Sequence, residues 1–125
     1  MPPGDIVYVS YPYTGGHAQA RRRPALILQD DSYAHRSPLV VTIPFTTNAS
    51  TVARFPAVIP IPRTPTNGLL VDSFLMVFQV QATERLLVDP VPVCTLDPTI
   101  LALVYDALDR LTGRIPPPSA PAAQP

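Results

Sequence analysis

Lysine and tryptophan are absent from this chain, cysteine occurs once, and no apolar run approaches the length of a membrane span. Each shortage excludes something. With Cys94 as the single cysteine there is no intramolecular disulfide, which fits a reducing compartment. The opening stretch MPPGDIVYV has neither a basic segment nor a long apolar core, so no secretory signal is expected. The reading is a soluble cytoplasmic protein with no membrane partner. Charge is scarce too: 14% of residues are charged, and nine basic residues balance nine acidic ones. No bulk field draws such a chain to a polyanion, so any such binding must come from a local patch. All nine basic residues are arginines, a usage for which genomic base composition is explanation enough. His17, His35 and Cys94 lie far apart and lack ligand spacing. Neither a metal nor a cofactor is expected.

What is present suits one domain: 125 residues, 46% of them apolar, cut into short pieces by 18 prolines. Asp5 to Tyr11 reads as a first strand, with Val7 and Val9 on one face and Ile6, Tyr8 and Ser10 on the other. A second strand is expected over 23–29, with Pro24 near its start. Asp30-Asp31-Ser32 caps a short helical turn over 33–35. A third strand spans 39–45, where Pro44 argues for a strand end or an edge. A proline-bearing edge strand covers 55–61, and Asn67-Gly68 is the strongest turn signal. The most apolar strand runs over 69–81, and a short one follows within 82–88. One helix is expected: Asp97 as N-cap, Pro98 at its first position, Gly113 as C-cap glycine. Its stripe is Ile100, Leu101, Val104, Leu108 and Leu111. This pattern predicts an α+β fold, a small curved or barrel-like sheet with a C-terminal helix. The domain is placed at 1–115, and the Pro/Ala-rich tail 116–125 is expected to be disordered.

The chemistry concentrates in YTGGHAQARRRPALILQ. A polar loop leads into Arg21, Arg22 and Arg23, and then into Pro24 and a buried run. Arginine offers planar, bidentate donors at any working pH and so suits a phosphate. A short arginine run is also commonly just a solvated patch. His17 is the loop residue that titrates near neutrality, although a lone loop histidine is more often a surface residue. Thr46-Thr47-Asn48 ends the third strand with hydrogen-bonding side chains, a common turn taken singly. Asp30-Asp31 and Asp72-Ser73 read as capping rather than as carboxylate chemistry. No Walker loop, nucleophile elbow or helical HExxH is present.

Three blocks together carry a resemblance: GDIVYVSYPYTGGHAQARRRPALILQDDSY, VVTIPFTTN and DSFLMVFQV. In this order and spacing they resemble the signature blocks of the PemK/MazF family. The match covers roughly residues 4 to 113. The family pattern is a Gly-Asp start, a Gly-x-x-Gln loop running into Arg-Pro, a Pro-hydrophobic-Thr-Ser/Thr-Asn loop and a late Asp-Ser strand ending in Gln.

The resemblance implies a toxin of a type II toxin–antitoxin pair: a metal-independent endoribonuclease that cuts single-stranded RNA at short sequences. It implies an SH3-like barrel of the CcdB/MazF type with a C-terminal helix, acting as a homodimer. A cognate antitoxin is implied, its disordered tail covering the active groove, along with binding to DNA in the antitoxin complex. The implied chemistry is attack of the ribose 2′-hydroxyl on the adjacent phosphate, leaving a 2′,3′-cyclic phosphate and a 5′-hydroxyl. Arg23 aligns with the family's catalytic arginine and Thr46 with its catalytic threonine, and His17 is the candidate for proton transfer. Thr14, Gln19, Arg21, Arg22, Thr47, Asn48 and Gln79 fall where RNA contacts are expected. The chain departs from the pattern at Ala18 and Phe78, where many members carry an acid, and at Gln81, often an arginine. It is also about one residue short between Gln79 and Leu86. The competing readings are a gyrase-binding toxin of the CcdB type and a degenerate homologue that only binds antitoxin.

Overall fold

Alternation in DIVYVSY sends successive side chains to opposite faces of strand β1 (Asp5–Tyr11), and both faces are covered. Ile6 packs in one core cluster with Leu26, Ile43, Phe45 and Leu75; Val7 and Val9 pack in another with Ala25, Ile27 and Val40. The computed structural model describes residues 2–12, 21–33, 36–50 and 55–116. Strand β2 (Arg21–Ile27) lies antiparallel to β1, from Tyr11↔Arg21 to Ile6↔Leu26. It begins two residues earlier and ends two residues sooner than the expected 23–29. Arg21 and Arg22 are held by backbone pairing with β1, which hydrophobicity does not report.

Strand β3 (Leu39–Thr46) is the middle of the molecule rather than an edge. One side pairs with β2 through Ile27↔Thr42, Leu26↔Ile43 and Ala25↔Pro44. The other side pairs first with β6 (Gln81–Glu84), along Leu39 to Thr42, and then with β5 (Ser73–Met76), at Phe45 and Thr46. Pro44 neither ends β3 nor marks an edge. Leu28 N donates to the Val41 carbonyl at 3.0 Å, and hydrogen-bonded pairs alternate along an antiparallel ladder. The Pro44 nitrogen therefore points away from β2, into the gap between the β6 and β5 ladders, where no N–H is required.

That change of partner also breaks the expected 69–81 strand. The chain runs as β5, a 3-10 turn over Val77–Gln79, then β6. Val77 is fully buried at this corner, so the apolar run continues where the strand does not. Among the described residues strand β4 (Val58–Ile61) pairs only with β5 and is the proline-bearing edge expected, but residues 55–57 are not part of it. The two-residue strand β7 (Cys94–Thr95), not foreseen, pairs with β1 at the opposite edge, and Thr95 Oγ1 donates to the buried Asp5 carboxylate at 3.0 Å. A helical turn after β2 covers Asp31–Tyr33, with Ser32 N bonded to Asp30 Oδ1; of the expected turn over 33–35, residues 34 and 35 lie outside the described residues. The result is a curled antiparallel sheet, a half-barrel, and one C-terminal helix.

Helix α1 (Pro98–Leu111) starts as expected, with Thr99 N donating to Asp97 Oδ1 at 2.8 Å. Val104 is fully buried, and Ile100, Leu101 and Leu108 pack beside it on the first cluster. Leu111 does not complete the stripe: it is 41% exposed, on the rim of a groove between α1 and β4. Arg114 N donates to Asp109 O and Gly113 N to Arg110 O, a Schellman closure with Gly113 at φ +81°. A Cβ added at Gly113 meets nothing within 4 Å, so Gly113→Ala tests backbone strain alone. It is expected to cost about 1 kcal/mol, measured by urea unfolding. An unchanged midpoint would show that the left-handed cap contributes nothing. Among the described residues, no helix is long and apolar enough to cross a membrane.

Candidate active site

Arg23 and Pro24 act as a pair because of where the β2–β3 ladder stops. Backbone groups of even-numbered β2 residues face β3, as Leu28 does, and the register places Pro24 opposite Phe45. Proline has no N–H for the Phe45 carbonyl, so pairing ends at Ala25↔Pro44 and the two strands fork. The side chain of Arg23 occupies the fork, with Nη1 donating to the Phe45 carbonyl at 3.5 Å. A bond this long orients the guanidinium more than it stabilises it. Thr46, the next residue of β3, is half-buried beside it, and its Oγ1 accepts from Asn48 N at 3.2 Å. Two residues 23 positions apart thus meet at one strand fork.

The fork opens into a cleft of about 280 Å³. Arg22, Arg23, Thr46, Thr47 and Ser73 supply polar groups. Pro24, Phe45 and the arm Leu69–Val71 supply apolar walls, and Tyr8 closes one side. Among the described residues the lining carries two guanidinium groups and no carboxylate, so it is positive in a chain of zero net charge. The arm is placed by Asn67. Its side-chain oxygen accepts from Thr64 N and Leu69 N, and its amide donates to Pro62 O at 2.8 Å. Gly68 follows at φ +71°, where a Cβ would lie 2.0 Å from a Val93 methyl. The turn signal read from Asn67-Gly68 is real, but its product is a wall of the cleft rather than a simple hairpin.

Arg22 points to the other face of β2. Its guanidinium carbon lies 4.3 Å from the centre of the Tyr8 ring, and Nη2 bonds Asp89 Oδ2 at 2.8 Å. The Val91 backbone N–H and then Arg22 hold the Asp89 carboxyl below the usual carboxylate range. Under the Arg23 face lies a closed hydroxyl chain, Tyr11 to Thr42 to Thr83, each step 2.8 Å. Burial pushes the Tyr11 phenol up, and its bond to Thr42 and the nearby Arg23 charge only partly offset this. Tyr11 is protonated at neutral pH and is no base there.

Of the residues expected from the sequence, Arg22, Arg23, Thr46 and Thr47 converge on the cleft. Asn48 is exposed just beyond them. Gln79 is exposed at the end of the 3-10 turn and does not line the cleft. Thr14, His17, Gln19 and His35 lie outside the described residues, as do the tail from 117 onward and the Arg21 side chain. Phe78 stacks on Phe55, centroids 4.7 Å apart and planes 16° from parallel, a packing role that an acid does not fill. Asp72 caps the Arg63 backbone N–H at 2.7 Å, as expected. Burial pushes the Cys94 thiol up, and it donates to Asn67 O. Among the described residues no group of three or more His, Cys, Asp or Glu is placed to hold a metal. Sequence reading missed Tyr8 and the Leu69–Val71 arm as parts of the site, and Asp89 as the partner that holds Arg22 from outside the cleft lining. Only Tyr8 left a trace, since it shares a face with Arg22 once the hairpin register is known.

Comparison with solved structures places the fold. MazF from Deinococcus radiodurans superposes with a TM-score of 0.70 at 23% identity, over 90% of this chain and 96% of that one. A MazE–MazF complex from the same organism gives 0.70 at 20% identity, over 92% and 97%. An endoribonuclease in complex with its cognate antitoxin, from a mycobacterial species, gives 0.67 at 15% identity, over 94% and 97%. A comparison with curated proteins returns no match. The family description "PemK-like, MazF-like toxin of type II toxin-antitoxin system" matches residues 2–112, nearly the whole chain. With the Arg-Pro fork, the threonine beside it and the half-barrel carrying both, the chain belongs to the PemK-like, MazF-like toxins of type II toxin–antitoxin systems.

Proposed function

We propose that the protein is a metal-independent endoribonuclease that cuts single-stranded RNA by attack of the 2′-hydroxyl on the adjacent phosphate. The observation that carries this is the fork: a permanently charged guanidinium beside a threonine hydroxyl, in a cleft whose described lining has two arginines and no carboxylate. In the reaction, negative charge grows on the phosphate oxygens, and a fixed cation there lowers the barrier. Arg23 supplies it. Thr46 donates a hydrogen bond that keeps the phosphate in line with the attacking oxygen. His17 carries the proton transfer, taking it from the 2′-hydroxyl or returning it to the leaving 5′-oxygen. DNA lacks the attacking group and is not cut.

The same reading gives the protein a homodimeric state, a cytoplasmic location, and a cognate antitoxin whose disordered tail covers the cleft and which carries the pair onto DNA. The family membership and the relative solved with its cognate antitoxin support the antitoxin partner. Incubation of purified protein with RNA in EDTA, with end-mapping of fragments, tests the activity; intact RNA beside inhibited gyrase supercoiling would favour the CcdB-type alternative.

The fork adds its own prediction. Pro24→Ala restores an N–H opposite the Phe45 carbonyl and so competes with Arg23 for it. The cleavage rate is expected to fall between about 10- and 100-fold, chiefly in kcat, with stability changed by no more than about 1 kcal/mol. Wild-type kinetics in Pro24→Ala would show that the missing donor does not position the guanidinium.

A further inference from the structure

Arg22 is held in a way that a phosphate contact does not require. Its guanidinium plane is backed by the Tyr8 ring at 4.3 Å and tethered at one edge by Asp89 at 2.8 Å. A side chain that reads a backbone phosphate works best with its in-plane donors free and its stem adaptable. Here one in-plane donor is already committed, and the pair sits at the mouth of the cleft with the Arg22 side chain 56% exposed. The same cleft is lined by Leu70, 79% exposed, and Val71, 50% exposed, apolar side chains that the packing of this domain leaves largely open. A cleft of about 280 Å³ is at the small end of ligand pockets, suited to one heterocycle rather than a long strand.

We infer that this half of the cleft is a nucleobase subsite, with an RNA base lying between the Arg22–Tyr8 stack and the Leu70–Val71 wall. Guanidinium planes and aliphatic walls are surfaces on which an unpaired base is held, and Thr47, which lines the same cleft, offers a hydroxyl for its edge. Arg22 then helps select the base beside the scissile phosphate, while Arg23, one residue on and on the opposite face, acts on the phosphate itself. The inference rests on the RNA-cleaving reading of the same cleft and adds to it a division of labour between adjacent arginines.

The test uses the full chain and two fluorescein-labelled probes that lack an attacking hydroxyl. One is a short 2′-O-methyl oligoribonucleotide of mixed sequence; the other is an abasic strand of equal length and charge. Anisotropy is expected to show the base-bearing strand bound roughly 5- to 100-fold more tightly. Arg22→Lys keeps the charge, and so the salt slope, but loses most of that margin. Leu70→Ser, at a surface position, removes the facing wall and also reduces it. Equal binding of the two strands overturns the subsite, as does a margin that survives Arg22→Lys. So does an Arg22→Gln variant that lowers the salt slope by about one while the margin stays, the signature of a phosphate contact. A pocket made for a side chain of a partner protein gives no margin either. Wild-type protein that shows the margin but never cleaves RNA supports the subsite and overturns the nuclease reading, so the two failures are distinguishable.

Discussion

Arg23→Ala is expected to lower the rate of RNA cleavage by roughly 10²–10³-fold, the loss seen when one preorganised donor to a developing oxyanion is removed. The fold is expected to survive. Its bond to the Phe45 carbonyl is long and lies at the mouth of an open cleft, where water can replace it. The stability change should stay within about 1 kcal/mol. Gel-resolved cleavage in EDTA and thermal melting of the same preparation check both halves. Cleavage at the wild-type rate rejects Arg23 as the catalytic cation, and cleavage that disappears for the wild type on chelation rejects the metal-free mechanism. Substitution by lysine is a further discriminator. The charge is kept and the planar fork lost, so partial activity separates electrostatic stabilisation from bidentate grip.

Phe45→Ala is expected to have the largest effect on stability, because the residue belongs to the core and to the site at once. Its ring is 2% exposed within the cluster that includes Ile6, Leu26, Leu75 and Val104. Its backbone pairs with Leu75 on one side and offers its carbonyl to Arg23 on the other. Deleting a buried ring costs about 3–5 kcal/mol, against a total of about 5–15 kcal/mol for a domain of this kind. A fall in melting temperature on the order of 10–20 °C follows. Unlike Arg23→Ala, this variant loses activity in step with folded population, so cleavage measured well below its melting point recovers more than cleavage measured near it. A drop of only a few degrees would mean that the cluster closes over the missing ring.

The two departures from the family pattern that bear on the site now have different standing. Phe78 is explained by its stack on Phe55, a contact between residues 23 positions apart that no local pattern announces. Ala18 lies outside the described residues, as does His17, whose proposed part in proton transfer is tested most directly by the pH–rate profile of His17→Gln.

What the sequence by itself determined is what depends on local chemistry. The helix is one such case: Asp97, Pro98 and Gly113 satisfy its orphaned backbone groups within a few residues of each end, and no distant partner is needed. The two faces of β1 are another, because a period of two needs only the strand itself. Arg-Pro at a strand and Thr-Thr-Asn at a strand end were legible for the same reason. The tertiary structure decided whatever depends on which strand lies alongside. Pro44 looked like an edge residue until β3 was seen to change partners from β6 to β5 at that point. The 69–81 run looked like one strand because burial continues through a corner at Val77. The difference between the arginines, finally, is a matter of register. Odd and even positions of β2 face different cores, and Asp89, 67 residues away, is brought to Arg22 only when β1 has paired with both of its neighbours.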